Sequence, residues 1–314
     1  MNALQQSLLT DEDRAALVAR FGERVRFDAP LAPATWWKIG GPADATIGAE
    51  TTADAAFVLQ WCFKRKLPCI VLGAGSNLLV GDGGMRGIVL QLGGTYDALE
   101  VGVEDGQVVA RAGASASLPQ LVAQAASLGA DGVDGLAGIP ATLGGALRMN
   151  AGTDREIGEF VREVRIQTPT RPLPAPAWVG FAYRQTTLAR EAIVADVTLS
   201  FPCGDPAVVR ARTQDRLVRR KATQPVAVPN AGSCFRNPPG DWAGRLIEAA
   251  GAKGWRCGGA EVSSLHANFI INAGGAKALD VSTLLARVHR AVDAAFGVDL
   301  HLEVHLVGEF VADG

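Results

Sequence analysis

A chain of 314 residues exceeds one ordinary core and divides into two or three domains at the usual ~100 to 200 residues each. Thirty Lys and Arg against thirty-two Asp and Glu leave a net charge of −2, which excludes a general nucleic-acid binder and gives no membrane-surface signal, so small molecules are the expected partners. The 37 glycines promise tight turns and close backbone approaches, while Cys62, Cys69, Cys203, Cys234 and Cys257 lack C-x-x-C spacing, which argues against a disulfide framework or zinc knuckle and fits a reducing compartment.

Thr10-Asp11-Glu12-Asp13 reads as the cap and acidic first turn of a helix through Arg20, with no export signal before it. No apolar run approaches the ~20 residues that span a bilayer. A cytoplasmic protein with no obligate protein partner is expected. Over residues 51–67, Ala55, Val58, Leu59, Cys62 and Phe63 recur at helical spacing, and Cys69-Ile70-Val71-Leu72 follows as a short buried strand. That strand runs into Gly73-Ala74-Gly75-Ser76-Asn77-Leu78-Leu79, and a second apolar run, Gly87 to Leu92, comes after it. The glycine loop thus lies between strands. A Rossmann fingerprint needs a third glycine opening a helix and an acidic residue about 20 positions on, and both are missing.

A second block starts near Gly93, with a strand over Gln107–Arg111 and a helix over Ser117–Leu128 that carries Pro119 near its start. The glycine-rich run from Gly135 to Gly152, which includes Thr142 and Asn150, reads either as tight helix–sheet packing or as a path aiming several backbone N–H groups at one anion. Two such segments in one chain favour a phosphate cradle. Pro169 to Ala177 is a proline-rich surface connection, followed by Phe181-Ala182-Tyr183-Arg184 and a strand over Ala192–Phe201. From Ala207 to Lys221 a helix bears Arg210, Arg212, Arg216, Arg219, Arg220 and Lys221. This pattern is a solvated face, with Lys221 at the helix end placed to meet a ligand phosphate.

The last block holds Ala231-Gly232-Ser233-Cys234-Phe235-Arg236-Asn237-Pro238. Glycine permits close approach and proline ends any ladder, so Ser233, Arg236 and Asn237 stand on one bend, as a site or as plain turn chemistry. A helix over Ala243–Ala249, a strand over His266–Asn272 and a helix over 281–296 stopped by Gly297 follow. Leu300 to Glu309 alternates as a closing strand, with Leu300, Leu302, Val304 and Leu306 toward a core and His301, Glu303 and His305 on the other face. The two histidines would stand ~13 Å apart, so no single zinc with ligands at about 2 Å gathers all three, and no metal site is expected. Ser233 lacks the G-x-S-x-G frame of a hydrolase, and Cys234, pointing opposite to it, is a packing residue.

Trp36-Trp37-Lys38-Ile39-Gly40-Gly41-Pro42-Ala43-Asp44, Val71 to Val80, Gly138-Ile139-Pro140, Met149-Asn150-Ala151-Gly152, Tyr183-Arg184, Ala231 to Pro238, His266 to Ile270 and Glu303-Val304-x-Leu306-x-Gly308-Glu309 resemble, in this order, the UDP-N-acetylenolpyruvoylglucosamine reductase family of peptidoglycan synthesis. The likeness runs from about residue 35 to 310, and the ordered set is far more specific than any single motif.

The resemblance implies an α+β protein with a vanillyl-alcohol-oxidase (PCMH-type) FAD-binding fold in two subdomains, 1–92 and 93–206, and a smaller α+β substrate-binding domain, 207–314. It implies NADPH as reductant and FAD held non-covalently, since His266, His289, His301 and His305 all fall in the last block. Gly73, Ala74, Gly75, Ser76, Asn77, Leu78, Gly138, Ile139, Pro140, Thr142, Gly144, Gly145 and Asn150 are the implied cofactor contacts, with backbone donors holding the pyrophosphate without a counter-charge. Ser233 is the implied proton donor, and Arg184 and Glu303 stabilise an enolate-like intermediate, which calls for a raised Glu303 pKa. Lys221, Asn237, His266 and Asn268 fall where UDP-N-acetylglucosamine enolpyruvate or NADPH binds. With only Tyr96 and Tyr183, the chain resembles the shorter members that lack a tyrosine-bearing lid. The alternatives are a flavin- or nucleotide-sugar-binding protein without turnover, or another oxidoreductase of the same flavin fold.

Overall fold

Apolar runs cut short by glycine and proline build the first sheet. In the computed structural model, which describes residues 7–311, its strands lie in the order Val25–Pro30, Pro42–Ala49, Met85–Leu92 and Cys69–Val71. The first pair is antiparallel and the others are parallel. Helix α1 (Asp11–Phe21) begins where the Thr10 hydroxyl accepts the Asp13 N–H, and α2 (Thr52–Arg65) where Thr51 does the same for Asp54. Ala55, Val58, Leu59 and Cys62 of α2 are buried, while Phe63 stays exposed. Cys69–Val71 is an edge strand and not the buried one its apolar sequence suggests. Val71 is left open because the sheet ends there and a cavity wall begins.

The second sheet is antiparallel, in the order Leu99–Glu104, Gln107–Gly113, Ile193–Pro202, Val161–Gln167 and Ala175–Pro176. The proline-rich connection therefore ends in an edge strand, where a missing N–H costs no ladder bond. Helix α3 (Leu118–Ser127) starts at Ser117, whose hydroxyl accepts the Gln120 N–H, and α4 (Leu143–Arg148) follows the second glycine loop. Both sheets share one apolar core. Helix α5 (Pro206–Thr223) packs on α3 and on the turn Val133–Leu136, with Arg216 Nε 2.8 Å from Asp134 Oδ2, so it sits with the second subdomain.

A separate core holds α6 (Ala243–Ala249), the antiparallel strands Arg256–Cys257, Ala260–Val262 and Ile270–Asn272, and α7 (Ala278–Phe296). Val281, Leu284, Leu285, Val288 and Val292 of α7 face it, and Gly297 at φ +65° stops the helix. Trp37 of the first subdomain is fully buried in this core, where its Nε1–H donates to the Ile270 carbonyl at 2.7 Å. Asp82 reaches across in the same way, accepting the Ala278 and Leu279 N–H groups at 2.9 and 3.1 Å, a cap on α7 lent by another subdomain.

The closing segment departs from the alternating strand. Leu302 bridges Phe235, His305–Val307 pair in parallel with Leu78–Val80, and Glu309 bridges Gly84. Three partners in ten residues leave no single sheet to impose one inward face. Leu300 and Val304 are buried, but Leu306 is exposed. Likewise only Ile270–Asn272 of the expected 266–272 strand is extended, because the Phe269 N–H turns back to the His266 carbonyl at 3.0 Å. Among the described residues no helix is long and apolar enough to cross a membrane, and no group of three His, Cys, Asp or Glu is placed to hold a metal.

Candidate active site

The first glycine loop, Gly73 to Asn77, leaves the edge strand with no hydrogen bond from its backbone N–H groups to another described residue. Its path demands glycine: at Gly75, φ +64°, a Cβ would lie 2.2 Å from the Ala34 carbonyl oxygen, and at Gly73 one would lie 2.4 Å from Thr142 Oγ1. The second loop therefore presses directly on the first. Between them opens a cavity of about 400 Å³, within the ~300 to 1,000 Å³ of small-molecule sites. Its charged lining is Arg148, Arg184 and Arg220 against one carboxylate, Glu303. Unpaired N–H groups, glycine-only contacts and surplus positive charge fit the pyrophosphate of FAD.

Gly73, Ala74, Gly75, Ser76, Asn77 and Leu78 line this cavity, as do Gly138, Ile139, Pro140, Thr142 and Gly145. Two residues expected with them do not. Gly144 packs α4 against the second sheet, where its N–H donates to the Ala114 carbonyl at 2.8 Å and a Cβ would lie 3.0 Å from Ala114 Cβ. Asn150, at φ +42°, is buried and fully engaged: Nδ2 donates to Glu156 Oε2 at 2.5 Å and to the Ala182 carbonyl at 3.0 Å, and Oδ1 accepts the Gly158 N–H at 2.9 Å. It holds Glu156 in place. The lining also qualifies the expectation of a pyrophosphate without counter-charge, since Arg220 stands in the wall.

Ser233, Arg184 and Glu303 come from distant parts of the chain into the same cavity. The Ser233 bend is clamped on both sides. Asn230 Oδ1 accepts the Gly232 N–H at 2.8 Å, the Cys234 N–H donates to the Asn268 carbonyl at 2.8 Å, and the Asn268 side chain bonds both the N–H and the carbonyl of Phe235 at 2.9 and 2.8 Å. Asn268 is thus a positioning residue, occupied at both ends and outside the cavity lining. Cys234 is buried with its thiol pushed up to about 12 by desolvation, as a packing residue would be.

The Glu303 N–H donates to the Cys234 carbonyl at 2.8 Å and Asn77 Nδ2 donates to the Glu303 carbonyl at 3.1 Å, so acid, serine bend and glycine loop form one unit. Arg184 sits in the two-residue turn of a short hairpin, Phe181–Ala182 with Gln185–Thr186, at φ +56°, a left-handed conformation uncommon for a residue other than glycine, which its bonds hold in place. Its Nε donates to Glu303 Oε1 at 2.8 Å, Nη1 to Glu156 Oε1 at 3.2 Å and Nη2 to the Gly152 carbonyl at 2.7 Å. Burial raises the Glu303 carboxyl above the usual carboxylate range, against the opposing pull of Arg184 and Arg236. Glu156 is raised for the same first cause.

A larger cleft of about 1130 Å³ adjoins the cavity and is walled by α5, Tyr183 and the Asn237–Trp242 segment. Asn237 lines it, with Oδ1 accepting the Ala243 N–H at 3.0 Å. Lys221 is exposed and lines neither space, because the helix turns its neighbour Arg220 inward. His266 is also outside both: its ring packs on Phe269 at 4.8 Å between centroids, its Nδ1 accepts the Asn268 N–H at 3.3 Å, and burial lowers its pKa. The arginine run is only partly a solvated face, since Arg216 binds Asp134 and Asp154. Glu156, Arg220 and Gln224 were illegible in sequence. Glu156 sits in a charged triplet without a pattern, and Arg220 is one of six basic residues in a row of turns.

Residues 224–307 match the family model of the UDP-N-acetylenolpyruvoylglucosamine reductase C-terminal domain, and residues 43–170 match an FAD-binding domain. A UDP-N-acetylenolpyruvoylglucosamine reductase of Moorella thermoacetica is 44% identical over 289 residues, 91% of this chain and 94% of that protein. One from Anaeromyxobacter sp. strain Fw109-5 is 42% identical over 302 residues, 96% and 94% of the two chains. The crystal structure of the Thermus caldophilus enzyme superimposes with a TM-score of 0.76 at 33% identity, covering 90% of this chain and 99% of that one. With both glycine loops, the FAD-binding fold and a third domain completing one cavity, the chain belongs to the UDP-N-acetylenolpyruvoylglucosamine reductase family of FAD-dependent oxidoreductases.

Proposed function

We propose that this protein reduces UDP-N-acetylglucosamine enolpyruvate to UDP-N-acetylmuramate, with NADPH as reductant, as a step of peptidoglycan synthesis. The observation that carries the reading is the bond of Arg184 to Glu303 inside a cavity shared with Ser233 and both glycine loops. FAD, once reduced by NADPH, would supply hydride to the enolpyruvyl double bond. Negative charge then builds on the conjugated carboxylate of the substrate, and a proton must reach the neighbouring carbon.

Arg184, fixed by three acceptors, offers a full positive charge to that carboxylate without reorganising. Glu303, whose buried carboxyl favours the proton, donates a hydrogen bond to the same developing charge. Ser233 delivers the proton. An alcohol is a weak acid, so the strong basicity of the enolate carbon and the clamped bend make the transfer feasible. The wider cleft, with its arginines and Asn237, accommodates the nucleotide half. A binding protein without turnover would gain nothing from holding a carboxyl and a guanidinium beside a serine at the cost of desolvating both.

Purified protein is expected to be yellow, to bleach with NADPH and to recolour with the enolpyruvyl sugar nucleotide. Ser233→Ala should leave bleaching within about two-fold of the parent and slow recolouring by ~10²- to 10⁴-fold, the usual worth of a positioned acid. Stopped-flow absorbance separates the two. A colourless protein, or equal losses in both half-reactions, would sink the assignment.

A further inference from the structure

Arg184 has one charge to share between two carboxyls. Its Nε donates to Glu303 Oε1 at 2.8 Å and its Nη1 to Glu156 Oε1 at 3.2 Å, and all three side chains are largely buried. Glu303 lines the flavin cavity, whereas Glu156 lines neither that cavity nor the wider cleft. Two ionised carboxylates on one cation leave a surplus negative charge in a poorly solvated place, so the pair keeps a proton to a higher pH than either acid would in water. Burial is the first cause of the raised carboxyl at both residues, so it does not decide which of them holds that proton.

The hydrogen bonds decide it. Glu156 accepts at both oxygens: Oε1 takes Arg184 Nη1, and Oε2 takes Asn150 Nδ2 at 2.5 Å. The amide cannot be turned round, because Asn150 Oδ1 accepts the Gly158 N–H at 2.9 Å while Nδ2 also donates to the Ala182 carbonyl at 3.0 Å. Asn150 is buried, and a Cβ at Gly158 would stand 2.7 Å from its Oδ1, so this frame closes only with glycine there. A donor on each oxygen favours the ionised form. Glu303 accepts at Oε1 alone, and its Oε2 has no hydrogen-bond partner among the described residues.

Two further charges face the pair and oppose this bias. Arg236, on the serine bend, pulls Glu303 toward ionisation, and Glu159 pushes Glu156 toward protonation. Neither acts through a side-chain bond to the carboxyl it affects: Arg236 forms no ion pair with Glu303, and Glu159 is itself met by Arg155 Nε at 2.5 Å. The direct donors on Glu156 prevail.

We propose that Glu156 is a positioning residue of the reduction: kept as a carboxylate by Asn150 and Arg184, it answers the guanidinium and leaves the proton of the pair on Glu303, the carboxyl inside the cavity. The role rests on the function proposed above. Without the charge of Glu156, Arg184 would have one carboxyl left and would hold it ionised, and Glu303 would have no proton to offer the enolate.

The test uses Glu156→Gln, which removes the charge and keeps the shape, and Glu156→Asp, which keeps the charge. Infrared pH titration of the holoenzyme, with no substrate present, reads the C=O band of the protonated carboxyl. Its midpoint should fall by ~1 to 3 pH units in Glu156→Gln, the usual effect of a cation left with a single carboxylate, and stay near that of the parent in Glu156→Asp. Glu303→Asp should change the frequency of the band and Glu156→Asp should not, which marks Glu303 as the carrier. In stopped-flow, recolouring of Glu156→Gln above the parent midpoint should slow ~10-fold for each unit of that shift, with bleaching by NADPH within about two-fold and most of the rate restored in Glu156→Asp. Three results overturn the proposal: an unmoved midpoint in Glu156→Gln, a band frequency that follows Glu156→Asp instead, or equal losses of bleaching and recolouring in both Glu156 variants, which would mark a structural role alone. A protein whose band behaves as expected but which does not recolour with the enolpyruvyl sugar nucleotide would refute the reduction and leave the placement of the proton standing.

Discussion

Under the proposed mechanism, Glu303 sets the pH response of the site. Its carboxyl titrates above the usual carboxylate range because burial opposes its charge, and Arg184 only partly offsets this. If the protonated form holds the enolate, the substrate-driven recolouring of reduced flavin slows as pH rises through that raised value. Glu303→Gln, neutral at every pH, should lose this limb in stopped-flow profiles while NADPH bleaching keeps its own profile. Folding stability follows the same sign. A pKa raised on folding stabilises most below the unfolded carboxylate value and loses that contribution as pH climbs through the folded one. Urea unfolding of parent and Glu303→Gln between these values should therefore converge at low pH and separate above it. Glu156 faces the same guanidinium, so Glu156→Gln should shift this limb without abolishing it.

The Ser233 bend is an element built by another bend. Asn268 satisfies two buried backbone groups of Phe235, and the Asn268 carbonyl holds Cys234. Asn268→Ala strands two buried polar groups, each costing ~1–3 kcal/mol, so urea unfolding should show a loss of roughly 2–6 kcal/mol, with recolouring impaired more than bleaching. Sequence made the bend visible because Gly232, Ser233 and Pro238 break any regular ladder, although the same residues also make ordinary turns. It hid the clamp, since an asparagine 33 positions away carries no periodic signal. Helices α2, α3, α6 and α7 were legible to within a few residues because apolar spacing is joined by a cap at Thr51 and Ser117 and by a terminal glycine at Gly297. The 300–309 segment was not, because its alternation is broken up among three partners in turn. Asn150 and His266 were named from the resemblance, and what sequence did not show is that each is already bonded to neighbouring backbone.

At the scale of the molecule, two flavin-binding sheets share one core and the third domain has its own, joined by a few crossings. Trp37 is the largest of these. Trp37→Phe keeps the apolar bulk and removes the Nε1–H that the Ile270 carbonyl accepts at 2.7 Å, leaving a buried carbonyl unpaired. The expected cost is ~1–3 kcal/mol, read as a lower urea midpoint, with flavin retained in the native baseline. Order and identity of domains were readable from the succession of glycine loops and the serine bend. Their seams were not, because Asp82 capping α7 and Trp37 entering a foreign core are contacts across some two hundred positions.

The bond from Asn77 to Glu303 spans 226 positions, and it has a consequence in time. During synthesis both glycine loops emerge long before Glu303 does, so a growing chain already carries much of the cavity wall while the side formed by Ser233 and Glu303 does not yet exist. The contact that completes the enzyme is among the most non-local in the fold, and closing so long a loop is slow compared with forming helices or hairpins. The parallel pairing of His305–Val307 with Leu78–Val80 closes that loop, so the cavity has its full wall only when the last strand is in place.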